Sequence, residues 1–336
     1  MIQAVCLVLL VSRMGPGYAD VVGGCRTDQR LQWARGGTQM SMVRVGLVQM
    51  GLKAPTSAPV AEIRDVMNAA HAEQVRRAAA QGVQVICFQE VFNAPYFCPV
   101  AEPRWLEAAE RVPEGPTTQL MCGLAREHSM VIVVPLYQRH DDGRKTNTAV
   151  VIDADGSILG TYEKTHIPTI GAHLHTMIGN EERGTERYWF EPGTTGFPVF
   201  QTRYLKLGVY ICYDRHFPEG WRALGLAGAE YVVNPSATWK GLSQHIWTLE
   251  QPAAAVANGF YVGAINRVGV EEPWAIGEFY GSSYVVDPRG RILVQGPDDS
   301  DALVVANIDL DVVREVKATW KFDEHRRPET YGALTR

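Results

Sequence analysis

None of the six cysteines (Cys6, Cys25, Cys87, Cys98, Cys122 and Cys212) lies two residues from another, so the chain has no dithiol redox motif and no zinc-ligand spacing. Long apolar runs are missing too. The stretch from Ala4 to Val11 is far short of the roughly 20 residues that span a bilayer, and no Lys or Arg precedes it. Nor is there an excess of one charge. With 32 Lys and Arg against 37 Asp and Glu, the formal net charge is -5, and the basic residues are scattered rather than clustered. That balance gives no electrostatic footprint for nucleic acid. What remains is 336 residues, 46% hydrophobic and 21% charged, the composition of an ordinary globular protein of one large or two modest domains. A core of that size does not need disulfides, so a reducing cytoplasm is expected; the charge balance points to a small-molecule partner, and no cofactor is expected.

Residues 1–42 carry no strand or helix periodicity and are expected to be an unstructured leader or a mis-assigned start, with Met40 and Met42 as alternative starts. From Val43 on, strand and helix patterns alternate. Strands are expected at 43–49, 83–88, 130–136, 148–152 and 157–162, with helices at 62–81 and 117–128, the second capped by Thr117. Residues 167–196 have no period and are too long for an ordinary connection, and they contain His173 and His175. A lid or assembly loop is the expectation there. Alternation then resumes, with a helix near 242–257 bent by Pro252 and further strands at 260–265, 282–286 and 302–308. The polar, aromatic tail 314–336 is expected to serve oligomer contacts. This is the pattern of an α/β protein with helices covering its sheets.

The most informative stretch is 205–234. Leu205, Leu207, Val209 and Ile211 alternate as a strand does, Pro218 and Glu219 open a helix that Gly228 ends, and Cys212 sits between. A thiol on such a turn projects from the sheet edge near backbone N–H groups and a positive helix end, which favour a thiolate. A buried inert cysteine is the competing reading. Glu90 and Lys164 also fall at the ends of expected strands. A base for the thiol and a cation for a tetrahedral oxyanion complete a sufficient chemical set. Taken singly, Glu90 could cap a helix and Lys164 could pair with Glu163 at the surface.

The local wording goes further. FQEVFNAPYF around Glu90, YEKTHIP around Lys164 and GVYICYDRHFPEGWRALGLAGAE around Cys212 resemble the Glu-Lys-Cys segments of the nitrilase superfamily of carbon–nitrogen hydrolases. The resemblance runs from about Val43 to about Val313. It implies a four-layer α-β-β-α sandwich over 43–313, hydrolysis of a non-peptide C–N bond without a metal, and a homodimer or higher homo-oligomer paired through the sandwich. CYDRH, EYVVNPSAT, GAINRVG and EFYGSSYV are similar to the branch that cleaves N-carbamoyl β-amino acids. That likeness implies Glu191, in YWFEPG, as a second active-site glutamate and Arg215 as the anchor of a substrate carboxylate. His216 is then a substrate contact, a structural residue or a base. N-carbamoyl-D-amino-acid hydrolysis, amidase action on a cationic carbamoyl amine, and a catalytically silent scaffold are the rival readings. The leader is unlike the family's, and nothing is carried over to it.

Overall fold

The computed structural model describes residues 41–100, 102–169, 186–241, 243–274 and 276–335. Residues 1–40 of the expected leader, and most of the 167–196 loop with His173 and His175, lie outside them, while Met42, expected to end the leader, already opens the first strand. In chain order the elements are β1 (Met42–Gln49), α1 (Val60–Ala80), β2 (Val85–Phe88), α2 (Pro116–His128), β3 (Val131–Arg139), β4 (Lys145–Ile152) and β5 (Ile158–Glu163). Then come α3 (Glu186–Trp189), β6 (Val199–Gln201), β7 (Lys206–Val209), α4 (Pro218–Leu226), β8 (Tyr231–Pro235), α5 (Trp247–Asn258) and β9 (Tyr261–Ile265). The chain continues through β10 (Val268–Gly269), β11 (Phe279–Tyr280), β12 (Tyr284–Val286), β13 (Ile292–Gln295), β14 (Ala302–Asp309) and α6 (Leu310–Trp320).

Two six-stranded sheets result, ordered β14-β1-β2-β3-β4-β5 and β13-β12-β9-β8-β7-β6. In each, central parallel strands are flanked by antiparallel ones. The side-chain period of two explains how both faces are buried. Val43, Val45, Leu47, Val85, Cys87, Val131 and Val133 point inward and pack with Leu207, Val209, Tyr231 and Val233 of the facing sheet. Val48, Ile86, Phe88, Ile132 and Val134 point outward and pack under Ile63 and Met67 of α1 and Met121 and Leu124 of α2. Trp221 and Leu224 of α4, with Trp247, Ala254 and Ala255 of α5, cover the outside of the other sheet. This is the four-layer α-β-β-α sandwich that the resemblance implies. β8 and β9 face β2 and β1 across the middle, and Glu90 and Cys212 follow the carboxyl ends of β2 and β7.

Several local expectations change. The α2 N-cap is Gly115 rather than Thr117, with Pro116 at the first helical position. The buried Glu110 carboxylate accepts the Thr117 N–H at 2.9 Å, so an acid from outside the helix does the capping. β6 and β13 have no counterpart among the expected strands. β6 is three residues long, and β13 is an edge strand whose residues are mostly exposed, so neither shows a buried period. The expected start of the tail at 314 falls inside α6, and beyond it Trp320, Phe322 and Tyr331 are exposed. No helix among the described residues is long and apolar enough to cross a membrane.

His71, on α1, is fully buried between Phe88 and Phe92, and its ring nitrogens face Met67 O at 2.8 Å and Gln89 Oε1 at 3.1 Å. Those two oxygens favour the imidazolium, but desolvation outweighs them and brings the pKa from 6.5 down to about 4. Between those values the unfolded chain binds a proton that the folded chain refuses. Stability is therefore complete above pH 6.5 and falls as pH drops toward 4, by about 1.4 kcal/mol per pH unit and about 3 kcal/mol in all. Thermal melts of wild type and His71→Phe across that window check this. The variant's melting curve should be the flatter one, and parallel curves would refute the assignment.

Candidate active site

Cys212 opens a 3-10 turn, Cys212–His216, that joins the strand end to α4. Its φ of 47° is in the left-handed region, which a non-glycine residue enters at a cost of about 1–3 kcal/mol unless the surroundings impose it. Here Asp214 imposes it. Its fully buried carboxylate accepts Ile211 N–H at 3.1 Å and the Tyr162 hydroxyl at 2.7 Å through Oδ2, and His166 N–H at 2.9 Å through Oδ1. Asn234 Nδ2 donates to Tyr210 O and to Cys212 O from the other side. Gly220 lets α4 close over Tyr210, since a Cβ there would collide with the phenol ring, and the Tyr210 hydroxyl donates to Phe217 O at 2.9 Å. The turn is clamped at both ends.

Glu90 follows β2 and is fully buried. Its Oε1 accepts Lys164 Nζ at 2.8 Å and Asn147 Nδ2 at 2.7 Å, while Oε2 has no partner among the described residues. Lys164, at the end of β5, is also fully buried, which rules out a surface pair with Glu163. Burial opposes its charge, yet Glu186 at 2.6 Å and Glu90 together hold the ammonium well above its usual range. The structure thus gathers Glu90, Lys164 and Cys212 at one point.

The second glutamate differs from the expected one. Glu191 is exposed, and its backbone N–H serves Lys145 O at 2.8 Å; the chain has already turned away from the site. Glu186, on the short helix α3, is the buried carboxylate, taking Lys164 on Oε2 and the Tyr96 hydroxyl on Oε1, each at 2.6 Å. The two are five positions apart, and nothing in an aperiodic stretch tells them apart. Asn147, Tyr96 and Asp214 are likewise site neighbours that the sequence did not single out.

The electrostatics of the thiol also depart from expectation. Burial first, and the Glu90 carboxylate next, push the Cys212 thiol up to about 12, against the pull of Lys164 and Arg215. The resting group is a neutral thiol, and a preformed thiolate at a helix end is not what the turn provides. Activation then requires a proton acceptor that acts as the substrate is attacked. A cavity of about 330 Å³ opens over Cys212, with Tyr96, Glu186, Arg215, His216 and Trp239 in its wall. Arg215 is 4% exposed, and its guanidinium donates to Ser243 Oγ at 3.0 Å and places Nη1 3.8 Å from Cys212 Sγ. His216 Nδ1 lies 2.8 Å from Glu250 Oε1, which makes it a partner of that carboxylate rather than of the thiol.

Comparison with known proteins gives the family and agrees with the fold. The carbon–nitrogen hydrolase family profile matches residues 44–318. β-Ureidopropionase of Arabidopsis thaliana is 37% identical over 308 residues, 87% of this chain and 72% of that protein. N-carbamoylputrescine amidase of the same plant is 36% identical over 280 residues, 80% of this chain and 89% of its own. The crystal structure of a carbon–nitrogen hydrolase from Helicobacter pylori G27 superposes with a TM-score of 0.76 at 29% identity, covering 88% of this chain and 99% of that one. Sandwich, profile and relatives converge, and the chain belongs to the carbon–nitrogen hydrolase family.

Proposed function

We propose that this hydrolase acts on N-carbamoyl amino acids of the N-carbamoyl-β-alanine type, releasing the amino acid, ammonia and CO2, with Cys212 as nucleophile. The observation that carries the reading is Arg215, a buried guanidinium in the wall of a small cavity, within 4 Å of the thiol sulfur. A planar fork at that position suits bidentate capture of a carboxylate. A cationic carbamoyl amine would meet it with like charge. The cavity volume fits a ligand of this size, and the similarity to a β-ureidopropionase points the same way.

In this reading Glu90 Oε2, which has no hydrogen-bond partner among the described residues, takes the Cys212 proton as sulfur adds to the carbamoyl carbon. Lys164 and a backbone N–H hold the developing oxyanion. Glu90 returns the proton to the departing nitrogen as the C–N bond breaks. Water then attacks the thiol-bound carbon, giving a proton to Glu90; the C–S bond breaks, the proton returns to Cys212 sulfur, and the carbamic acid released loses CO2 to free the second nitrogen. Glu186 fixes Lys164 from the side opposite Glu90, so the ammonium is pinned between two acids and cannot swing away. His216, lining the cavity, is a substrate contact held by Glu250.

A homo-oligomer in the cytoplasm belongs to the same proposal, with the exposed Leu226, Leu249 and Val256 of α4 and α5 as its apolar contact face. An ammonia-release screen over N-carbamoyl β- and α-amino acids, N-carbamoylputrescine, simple amides and nitriles tests the substrate class. The ureido acids should lead by kcat/KM, with the β-amino acid derivative first. N-carbamoylputrescine as the best substrate would overturn the carboxylate reading.

A further inference from the structure

Arg267 lies between β9 and β10 and is 1% exposed, yet no step above uses it. Its backbone is fixed: its N–H donates to Asn266 Oδ1 at 2.9 Å, and its carbonyl accepts Gly281 N–H at 2.9 Å. The side chain crosses to the other sheet, to the loop that begins at Glu90. Nη2 donates to the carbonyls of Glu90 at 3.0 Å, Val91 at 2.5 Å and Ala94 at 2.8 Å, and Nε also reaches Glu90 O at 3.3 Å. Three carbonyls converge because Val91 has a φ of 47°, a left-handed turn that a β-branched residue does not adopt unaided. A cation at their focus is what makes that turn tenable.

Nη1 meets Glu271 Oε1 at 2.6 Å, and Glu271 Oε2 accepts the Tyr96 N–H at 2.6 Å. The far end of the loop is therefore tied to the same pair. Tyr96 in turn gives its hydroxyl to Glu186, Glu186 holds Lys164, and Lys164 returns to Glu90. The contacts close a ring around the site.

We infer that Arg267 and Glu271 form a positioning pair that sets the Glu90–Tyr96 loop, aiming the Glu90 carboxylate at Cys212 and the Tyr96 hydroxyl at Glu186. A buried ion pair is weak evidence for stability in itself, because desolvation offsets its attraction. What these two groups supply is geometry. Arg267 has several directed donors for several carbonyls, which a lysine ammonium cannot reproduce at that spread.

The inference rests on Glu90 serving as the base for Cys212, and the experiment separates the two ideas. Full-length wild type, Glu271→Gln, Arg267→Lys and Glu90→Gln are compared by thermal melting, by kcat and KM on the best substrate of the screen, and by the rate of Cys212 alkylation with iodoacetamide as a function of pH. Alkylation reads the thiol and its base without any C–N chemistry. Glu271→Gln keeps the shape and an acceptor for Tyr96 N–H. It should stay folded while kcat and the alkylation rate both fall by about tenfold or more, KM stays within about twofold and the acid limb of the pH profile moves. Arg267→Lys, where it folds, should show the same split more strongly. Should Glu271→Gln lose melting temperature with kcat and alkylation within about twofold of wild type, the pair is structural support alone and the inference fails. Normal alkylation of Glu90→Gln would remove the base assignment and the inference with it, whatever Glu271→Gln shows.

Discussion

Cys212→Ala should retain the melting temperature of the wild type and lose turnover by roughly 10⁴-fold or more, because no other group is placed to form the covalent intermediate. Cys98 is the other thiol in the cavity wall, but burial and then Glu186 push it well above its usual range, and it lacks the clamped turn of Cys212. Cys212→Ser tests the chemistry more finely. The site holds even a thiol neutral at rest, with the pKa pushed up to about 12, so a hydroxyl, less acidic still, should remain unreactive despite an unchanged turn. Ammonia release measured against circular dichroism and melting checks both variants. Near-wild-type activity in Cys212→Ala would end the thiol mechanism. The high thiol pKa also bears on the pH response. Raising the pH should not reveal a thiolate-driven plateau of activity below pH 10, some two units under the thiol's own value of about 12.

Arg215→Ala should change substrate preference as well as rate. In a ureido acid the carboxylate loses a buried, charge-assisted partner, a change worth about 2–5 kcal/mol, or roughly 30- to 5,000-fold in kcat/KM. A small neutral amide never uses that contact. It does not escape entirely, because Nη1 stands 3.8 Å from Sγ and helps pull the thiol pKa down, so a common loss of about tenfold is expected for every substrate. The ratio of the two specificity constants isolates the carboxylate contribution from that shared loss. Arg215→Lys should recover part of the shared loss, since it restores charge, but little of the ratio, since an ammonium has no fork and cannot keep both Ser243 and a carboxylate. Equal losses for acids and amides in Arg215→Ala would leave Arg215 as support for the Cys212 turn, with its guanidinium over Trp247.

The chain's own order decided a good deal. The alternation of Val43, Val45 and Leu47, the run before Glu90 and the pattern 205–211 are one-dimensional signals, because side-chain direction along a strand has a period of two, and each expected strand there appears within two or three residues of its place. Glu90, Lys164 and Cys212 fall at strand ends, but the motif wording around them is what singled them out as candidates, and Arg215 with them; Arg215 lies in the same turn as the cysteine. Tertiary structure decided the rest. Glu186 rather than Glu191 faces Lys164 because a four-residue helix rotates one glutamate inward and leaves the other at the surface, and a segment that short has no period to read. The α2 cap came from Glu110, outside the helix, which no local cap rule anticipates. The protonation state of Cys212 depends on how much solvent four layers exclude and on how near Glu90 comes, quantities that exist only once distant strands have met. Arg267 shows the limit most plainly: a lone arginine in GAINRVG carries no sign of the three carbonyls it binds, which lie more than 170 residues earlier and become neighbours only when the two sheets face each other.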